Sequence, residues 1–371
     1  MRILLIFLAL LDARPSRVEV LTPKPPTPVV AEGKRVLAYE LQITNFDVVP
    51  LTLLRIDVLN QSFQGDDLAH LLAPVGTAPE KVERIDSGRR VIAFMWLTQP
   101  LDAPIPRTLH HHLTFDQSSI DIDVPVSNAI VPVLRPPFVD GEWLAGNGPS
   151  NTSVHRRSVT PLNGRTYIGQ RFAIDWLLIG KNGDTTHDGR ERNENYWGFG
   201  YPVHAMASGE VTEVVDDYED HLPGQLPPVS LANIGGNHVI IRIAPRQYIL
   251  YAHLQQHSIR VQLHQHVKAG DVIAKLGNSG NTTGPHLHTE VMDDNAMLGA
   301  EGIPFVLDHF RFLGYGKDFE ESHHPDEPRT RTMPVDDEVI AVDRLKAANA
   351  TASAIKPARP SRLPRSNSSG R

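Results

Sequence analysis

Residues 277–291 read GNSGNTTGPHLHTEV, a loop rich in glycine, asparagine and threonine that leads into a short run of apolar and polar residues. If the chain from His286 to Val291 forms a β-strand, the imidazoles of His286 and His288 project from the same face, because residues two apart on a strand share a face. Two imidazoles side by side on a rigid element suit a zinc site, where one can bind the metal and the other can handle protons. Such a pair is weak evidence by itself, and two further segments strengthen it.

The composition narrows the class of protein and of site. The chain of 371 residues contains no cysteine, so disulfides and thiolate ligands are excluded and any metal must be held by histidine, aspartate or glutamate. The net charge of −7 argues against a nucleic-acid partner, since nucleic-acid binders usually carry a basic surface. The 30 prolines and 27 glycines favour short strands and turns over long helices. We therefore predict a mainly all-β protein.

Residues 1–15 are predicted to be a signal segment, because Met1 and Arg2 precede the apolar run Ile3–Leu11. The alternative is that this run is a buried strand. It is about half the length that a membrane span requires, and we predict no stable membrane span elsewhere. The protein is accordingly expected to be secreted or periplasmic. Residues 16–34 contain many prolines and valines without periodicity, which predicts a linker.

Residues 35–135 are predicted to form a β-sandwich, because several short runs in this region alternate or are almost entirely apolar. The runs are Val36–Thr44, Leu51–Leu59, Val91–Leu97 and Leu113–Val126. His110, His111 and His112 lie in this region. Adjacent side chains on a strand point to opposite faces, so these histidines are predicted to belong to a solvated strand and not to a metal site. Prolines crowd between Pro132 and Pro137 and indicate a domain boundary.

Residues 139–318 are predicted to form a second domain of short strands, which include Gln170–Leu178 and Tyr248–His253. From residue 320 to residue 371 the chain becomes charged and proline-rich, and we predict a mostly disordered tail. Within this tail, the spacing of the apolar residues predicts one short helix from Asp336 to Ala350.

Two segments of the second domain add candidate site residues. The apolar run from Tyr248 ends in YAHL at residues 251–254, which places His253 at a strand end beside an aromatic side chain. A half-buried structural histidine is the alternative there. Asp175 lies inside an apolar run, and a buried carboxylate is costly unless it is paired or binds a metal.

With these residues the sequence resembles the lysostaphin-type zinc metalloendopeptidases, many of which cut peptide cross-links in bacterial peptidoglycan. The resemblance extends from near His155 to Asp293. It is carried by YAHL at 251–254, GNSG at 277–280 and HLH at 286–288, with connecting pieces such as GYPVHA at 200–205 and VKAGDVI at 267–273. The fold that it implies is an antiparallel β-sheet core of the duplicated hybrid motif type, with an open groove.

Carried over position by position, the resemblance implies that Asp175 and His288 are Zn²⁺ ligands. His253 and His286 are implied to act as general base or as stabiliser of the oxyanion. The implied function is a zinc metalloendopeptidase that hydrolyses a peptidoglycan peptide or another short peptide. A rival is a hydrolase of another small amide or ester. No G-x-S-x-G motif is present, which disfavours a serine nucleophile.

One position departs from the family pattern. The histidine of the HxxxD ligand motif falls at Arg171, and an arginine cannot bind zinc because it stays protonated. His155 is the first candidate for the third ligand, since it precedes the segment that carries Asp175. His187 and His204 are the other candidates. The remaining possibility is a degenerate site, and the protein would then be a non-catalytic module that binds the cell wall or activates another hydrolase.

Overall fold

The N-terminal region of the chain is a pair of antiparallel sheets. A computed structural model describes residues 16–76, 81–180, 183–316 and 326–343. The elements of this region are β1 (Val18–Leu21), β2 (Val29–Ala31), β3 (Lys34–Asn45), β4 (Leu51–Val58), β5 (Gln61–Gln64), helix α1 (Gly65–Leu71), β6 (Leu72–Pro74), β7 (Arg84–Ile85), β8 (Arg90–Gln99), β9 (Thr108–Phe115) and β10 (Ser119–Pro125). One sheet has the order β1-β3-β8-β6 with β2 paired to β3, and the other has the order β10-β9-β4-β5 with β7 paired to β4.

The two sheets enclose one apolar core, as the alternation along the strands predicted. Tyr39, Leu41 and Ile43 of β3 project into this core and meet residues of the opposite sheet such as Leu53 and Leu113. The core is thus built from every second residue of its strands.

Residues 16–34 are not a linker in the structure. Strand β1 pairs with β3 along its whole length, and β2 pairs with the start of β3. Val18 and Val20 pack against the sandwich core, so the segment is held by both main-chain and side-chain contacts. The local sequence hid this role because β1 and β2 are short and prolines separate them. The predicted signal segment, residues 1–15, lies outside the described residues.

The three adjacent histidines lie on β9 and alternate as predicted, but only two of them are solvated. His110 is exposed and pairs with Asp123 of β10, and His112 is partly exposed and pairs with Asp121. His111 is buried instead, with its Nε2 atom 2.5 Å from the hydroxyl of Tyr39. The prediction of a solvated strand is therefore wrong for His111.

The second region is dominated by one large, mainly antiparallel sheet. Its strand order is β11-β23-β25-β12-β15-β22-β19-β18-β17-β20, and β24 pairs with β23. The elements are β11 (Val133–Leu134), β12 (Gly141–Gly146), helix α2 (Val154–Arg157), β13 (Thr160–Leu162), β14 (Arg165–Tyr167), a 3₁₀ helix (Gly169–Phe172), β15 (Ile174–Ile179), a second 3₁₀ helix (Asn193–Asn195), β16 (Pro202–His204), β17 (Gly209–Val215), β18 (Asn237–Ala244), β19 (Gln247–Leu254), β20 (His266–Val267), β21 (Val272–Lys275), β22 (Leu287–Met292), β23 (Val306–Tyr315), β24 (Glu327–Thr332) and β25 (Glu338–Val342).

The predicted all-β fold class is confirmed, and two local predictions are corrected. The predicted strand Gln170–Leu178 begins only at Ile174, because the residues before it form a 3₁₀ helix. The predicted helix Asp336–Ala350 is wrong where its structure is described, since Glu338–Val342 is the strand β25. The boundaries of the domains remain a prediction.

Strand β25 shows why the helix prediction failed. It pairs with β12 on one side and with β23 on the other, and all five of its residues are buried. Ile340 packs on one face of the sheet and Val339 on the other. An apolar run that is buried on both faces has no polar side to reveal its period, so helix and strand cannot be told apart from the pattern. Residues 326–343 therefore belong to the large sheet and not to a disordered tail, while residues 320–325 and 344–371 of the predicted tail lie outside the described part.

The outer face of β3 packs against the second region. Val36 and Ala38 form an apolar cluster with residues that include Phe172 and Met333. Gln42 donates a hydrogen bond of 2.9 Å to the hydroxyl of Thr166. Both faces of β3 are therefore buried, one in the sandwich and one against the second region. In the described ranges, no helix is long and apolar enough to cross a membrane.

Candidate metal centre

The order of three central strands places the first two candidate ligands opposite each other. Strand β15 pairs antiparallel with β22, and the register sets Asp175 directly beside His288. The Nδ1 atom of His288 lies 2.9 Å from Oδ1 of Asp175. Both side chains are buried. The neighbour on the other side of β22 is β19, in which Ala252 lies beside His288 and His253 follows.

His155 reaches the same point from the short helix α2. Its Nε2 atom is 3.4 Å from Oδ2 of Asp175, and its ring centroid is 4.8 Å from that of His288. One ligand atom from each of these three residues lies within 4.8 Å of the others. Asn147 holds this arrangement on two sides: its amide donates a 2.8 Å hydrogen bond to Asp175, and its carbonyl accepts one of 2.9 Å from Nδ1 of His155.

His253 and His286 stand beside this cluster. Their ring centroids are 4.8 Å apart, and His253 lies 5.8 Å from His288. Nε2 of His286 is 3.3 Å from Oδ1 of Asp175. Backbone carbonyls fix both rings: Nδ1 of His253 donates to Ser279 and Nδ1 of His286 donates to Gly284, each at 2.8 Å. A proton held on Nδ1 by a carbonyl places the lone pair of a neutral imidazole on Nε2.

The GNSG loop at 277–280 is the support for His253. His253 itself has a φ of 62°, a left-handed conformation that is uncommon for residues other than glycine and that surrounding contacts must hold. Gly280 also has a positive φ, and a Cβ atom there would lie 2.3 Å from the backbone nitrogen of Gly236. Ser279 is fully buried, and its hydroxyl donates to the carbonyl of Leu254 at 2.8 Å. Ser279 is thus a structural residue and not an exposed nucleophile.

Burial and mutual contacts shift the pKa values of the ionisable groups in the centre. Burial would raise the pKa of Asp175, but the imidazoles of His286 and His155 hold it well below its usual range. Burial would lower the pKa of His288, but its contacts with Asp175 and Glu290 raise it to about 10. Burial lowers the pKa of His155 to about 4. Burial and the neighbouring His286 also lower the pKa of His253.

These residues fit a zinc ion, the metal that the family resemblance implies. Two imidazoles and one carboxylate are a set of ligands that catalytic zinc sites use, with a further position left open. His155 is a neutral imidazole whose Nδ1 proton is fixed on a carbonyl, which leaves Nε2 free for a metal. Among the described side chains, Nε2 of His288 and both carboxylate oxygens of Glu290 are buried without a hydrogen-bond partner, and Nε2 of His288 lies 3.6 Å from Oε2 of Glu290. A carboxylate beside a ligand imidazole is a common means of orienting the ring.

The other histidines that sequence reasoning proposed as third ligands lie elsewhere. His187 contacts the carbonyl of Glu194 at 3.0 Å, and its ring packs beside Trp197. His204 contacts the carbonyl of Gly270 at 2.8 Å. Neither belongs to the cluster of ligand atoms.

Arg171 is buried and paired, which explains how the family's ligand position can hold an arginine. Its guanidinium contacts both oxygens of Glu40 at 2.8–3.1 Å and Oε2 of Glu301 at 2.7 Å. Sequence reasoning missed these carboxylates, together with Asn147 and Glu290. Glu290 gives a local signal, since it is a charged residue in the apolar strand β22, whereas the role of Glu40 depends on contacts with another region of the chain.

The four imidazoles and Asp175 line a cavity of about 510 Å³. Apolar side chains from the connection between β17 and β18 also line it, namely Leu226, Leu231 and Ile234. The cavity is therefore large enough to enclose a few residues of a peptide beside the candidate ligands.

Comparison with known proteins shows a family resemblance over part of the site. Residues 195–299 match the model of peptidase family M23. Over these residues the chain resembles the M23 peptidases. The matched residues include His253, His286 and His288, while His155 and Asp175 precede them.

Two curated relatives resemble the chain over parts of their length. The DD-carboxypeptidase/endopeptidase Mpg of Neisseria meningitidis serogroup B is 37% identical over 91 residues, which cover 24% of this chain and 17% of that protein. The peptidoglycan DD-endopeptidase ShyC of Vibrio cholerae serotype O1 is 36% identical over 69 residues, which cover 19% of this chain and 16% of that protein. The chain thus spans only about a sixth of the length of these two relatives.

A solved structure also matches part of the chain. The catalytic domain of the antimicrobial peptidase lysostaphin from Staphylococcus simulans is 22% identical, with a TM-score of 0.25, and the match covers 43% of this chain and 86% of that chain.

His155→Ala is expected to weaken zinc binding by at least ~100-fold, because loss of a ligand should exceed the 10- to 100-fold effect typical of a residue that only orients a ligand. The dissociation constant can be measured by competition with a chromophoric chelator. His187→Ala is the matched control, because it removes a histidine that was also a candidate ligand but lies on an exposed loop away from the cluster. Unchanged zinc affinity in His155→Ala would contradict its assignment.

Proposed function

We propose that this protein is a zinc-dependent metalloendopeptidase that hydrolyses peptide bonds in peptidoglycan cross-links. The observation that carries the proposal is the convergence of His155, Asp175 and His288 in one cavity, with His253 and His286 beside them. The match to peptidase family M23 supports the reaction class. The similarity to the peptidoglycan DD-endopeptidase ShyC supports peptidoglycan as the substrate.

His155, Asp175 and His288 would hold the zinc ion, and Asn147 and Glu290 would orient them. When bound there, Zn²⁺ would act as a Lewis acid and lower the pKa of a water molecule to about 7. The protein's own part is to keep the ligands in place. Asn147 does this for two of them through its amide and its carbonyl. Glu290 stands beside the third.

His253 and His286 are proposed to transfer the proton. As the water oxygen attacks the carbonyl carbon, one of its protons passes to the free Nε2 of an imidazole. The same proton then moves to the amide nitrogen as the C–N bond breaks, which gives a carboxylic acid and an amine. The second proton of the water leaves the acid and is taken up by the amine, so a carboxylate and an ammonium group are the final products. The hydrogen bonds from Nδ1 to Ser279 and Gly284 keep Nε2 available in both rings.

The cavity suits a short peptide. Its lining combines the imidazoles with the apolar side chains of Leu226, Leu231 and Ile234. A bound peptide would meet the imidazoles with its amide groups and the apolar lining with its side chains. A peptidoglycan substrate also places the protein outside the cytoplasm, and we propose that it is secreted or periplasmic.

The function is tested on purified protein with its zinc content measured. Peptidoglycan sacculi and cross-linked muropeptides are incubated with the protein, and new amino and carboxyl termini are identified by mass spectrometry. We expect about one zinc per chain, cleavage of cross-links, loss of cleavage on treatment with 1,10-phenanthroline, and recovery when Zn²⁺ is restored.

Two outcomes would contradict the proposal. Binding of sacculi without release of new termini by the zinc-loaded protein would favour a non-catalytic wall-binding module. Cleavage of small amides or esters, but of no peptide in the same panel, would favour the other class of hydrolase.

A further inference from the structure

The carboxylate of Glu40, in the N-terminal sandwich, pairs with two arginines that adjoin the candidate metal centre in the chain. Glu40 occupies the middle of β3 and is 1% exposed. Its neighbours Tyr39 and Leu41 project into the sandwich core, so the side chain of Glu40 projects from the opposite face, toward the second region. A buried carboxylate needs partners of opposite charge.

Glu40 has two such partners, both arginines of the second region. Arg171 contacts it through Nε and Nη2 at 2.8–3.1 Å, and Arg156 contacts Oε1 at 3.4 Å. Both guanidiniums are almost completely buried. Burial would raise the pKa of Glu40, but the two arginines lower it below its usual value, and the carboxylate therefore stays ionised. A second carboxylate, that of Glu301, contacts Arg171 at 2.7 Å. The buried cluster therefore contains two arginines and two carboxylates.

Arg156 is fastened to the sandwich by more than Glu40. Its Nη2 atom donates to the carbonyls of Tyr39 and Met95, at 3.1 and 2.8 Å. Its guanidinium also lies over the ring of Trp96, 5.4 Å from the centroid, which is within the range of a cation–π contact. An arginine that makes these contacts fixes the position of its own backbone.

Both arginines adjoin candidate ligands in the chain. Arg156 is the residue after His155 on helix α2, and Arg171 lies on the 3₁₀ helix that leads into the strand of Asp175. Helix α2 has only four residues, and a helix this short depends on tertiary contacts for its stability. Arg156 is the buried residue of that helix.

We propose that Glu40 is a positioning residue of the metal centre. Its carboxylate fixes the turn that carries His155 and the segment that precedes Asp175, so the sandwich helps to form the zinc site and is more than a spacer. The inference rests on the proposed zinc site. It goes beyond it by assigning a role in metal binding to a residue of the N-terminal region that contacts none of the ligands' metal-binding atoms.

The test compares zinc affinity and local order in Glu40→Gln and in the wild type. We expect the dissociation constant for Zn²⁺, measured by chelator competition on folded protein, to rise by about 10- to 100-fold in Glu40→Gln. In the zinc-free proteins, hydrogen exchange should be faster in the variant at the amides of Arg157 and Ser158. These amides bond to the carbonyls of Ser153 and His155, so their exchange reports the turn directly.

Two further variants separate positioning from general destabilisation. Glu40→Asp keeps the charge but shortens the side chain by one methylene, so it should fold and bind zinc with an intermediate affinity. Leu41→Ala removes a buried residue from the sandwich core on the opposite face of β3. It should lower the melting temperature but change the zinc dissociation constant by less than about twofold, since it leaves the charged contacts intact.

The outcomes distinguish this inference from the proposed function. A wild-type protein that binds no zinc would overturn both. If the wild type, Glu40→Asp and Glu40→Gln all bind zinc with the same affinity, the proposed role of Glu40 is overturned, whereas the proposed metallopeptidase function is not. A loss of affinity in Leu41→Ala as large as that in Glu40→Gln would also overturn it, because the effect would then follow from stability alone.

Discussion

Asp175→Asn is expected to retain no zinc after dialysis and to lower kcat/KM for peptide hydrolysis by on the order of 1,000-fold or more. The carboxylate lies at the centre of the site, within 2.8–3.4 Å of Asn147, His288, His286 and His155. Asparagine has nearly the same size but no charge, so the cluster loses its central anion. Loss of metal catalysis removes several kcal/mol of transition-state stabilisation, which corresponds to this fall in rate.

The measurements are zinc per chain by mass spectrometry of the metal, and kcat/KM on a cross-linked muropeptide. Asp121→Asn is the matched control, because it makes the same chemical change at an exposed carboxylate of the sandwich. Thermal unfolding of each protein establishes that it is folded. Stoichiometric zinc in Asp175→Asn would exclude this carboxylate as a ligand.

His286→Ala is expected to lower kcat by about 10²- to 10⁴-fold while zinc stays stoichiometric, which is the range for loss of a general acid–base group. The imidazole faces the cavity with its Nδ1 proton fixed on Gly284, and it is not one of the three clustered ligands. The decisive comparison is therefore between the rate and the metal content of the same sample.

His253→Ala shows how the proton transfer is divided between the two imidazoles. If the two rings act as a unit, the double variant should be no slower than the worse of the single variants. His264→Ala is the control, since this exposed imidazole pairs with Glu210 away from the cavity. Loss of zinc in His286→Ala would make this residue a ligand and contradict its role in proton transfer.

The sequence predicted a set of candidate site residues but not how they meet. The i, i+2 spacing of His286 and His288 places both on one face of a strand, and that much follows from local geometry. The contact between Asp175 and His288 depends on β15 lying beside β22, a pairing between distant segments that no local pattern contains. Here the family resemblance supplied what periodicity could not.

The residues that support the site were hidden for physical reasons. Glu40 belongs to an alternating strand whose polar side would ordinarily face solvent, and only the packing of the second region buries it. Arg171 looked like a defect in the ligand set because its partners, Glu40 and Glu301, are distant in sequence. In the same way, β25 has no polar face from which its strand period could be read.

Strand β25 also limits when the large sheet can form. It pairs with β12 on one side and with β23 on the other, so each of those strands has an open edge until residues 338–342 have been synthesised. Contacts between such distant segments form slowly, and an open edge is prone to pair with another chain. The pairing of β12 and β23 through β25 is therefore a late step in synthesis and folding, because strands that lie roughly 200 residues apart in sequence must both be available for it.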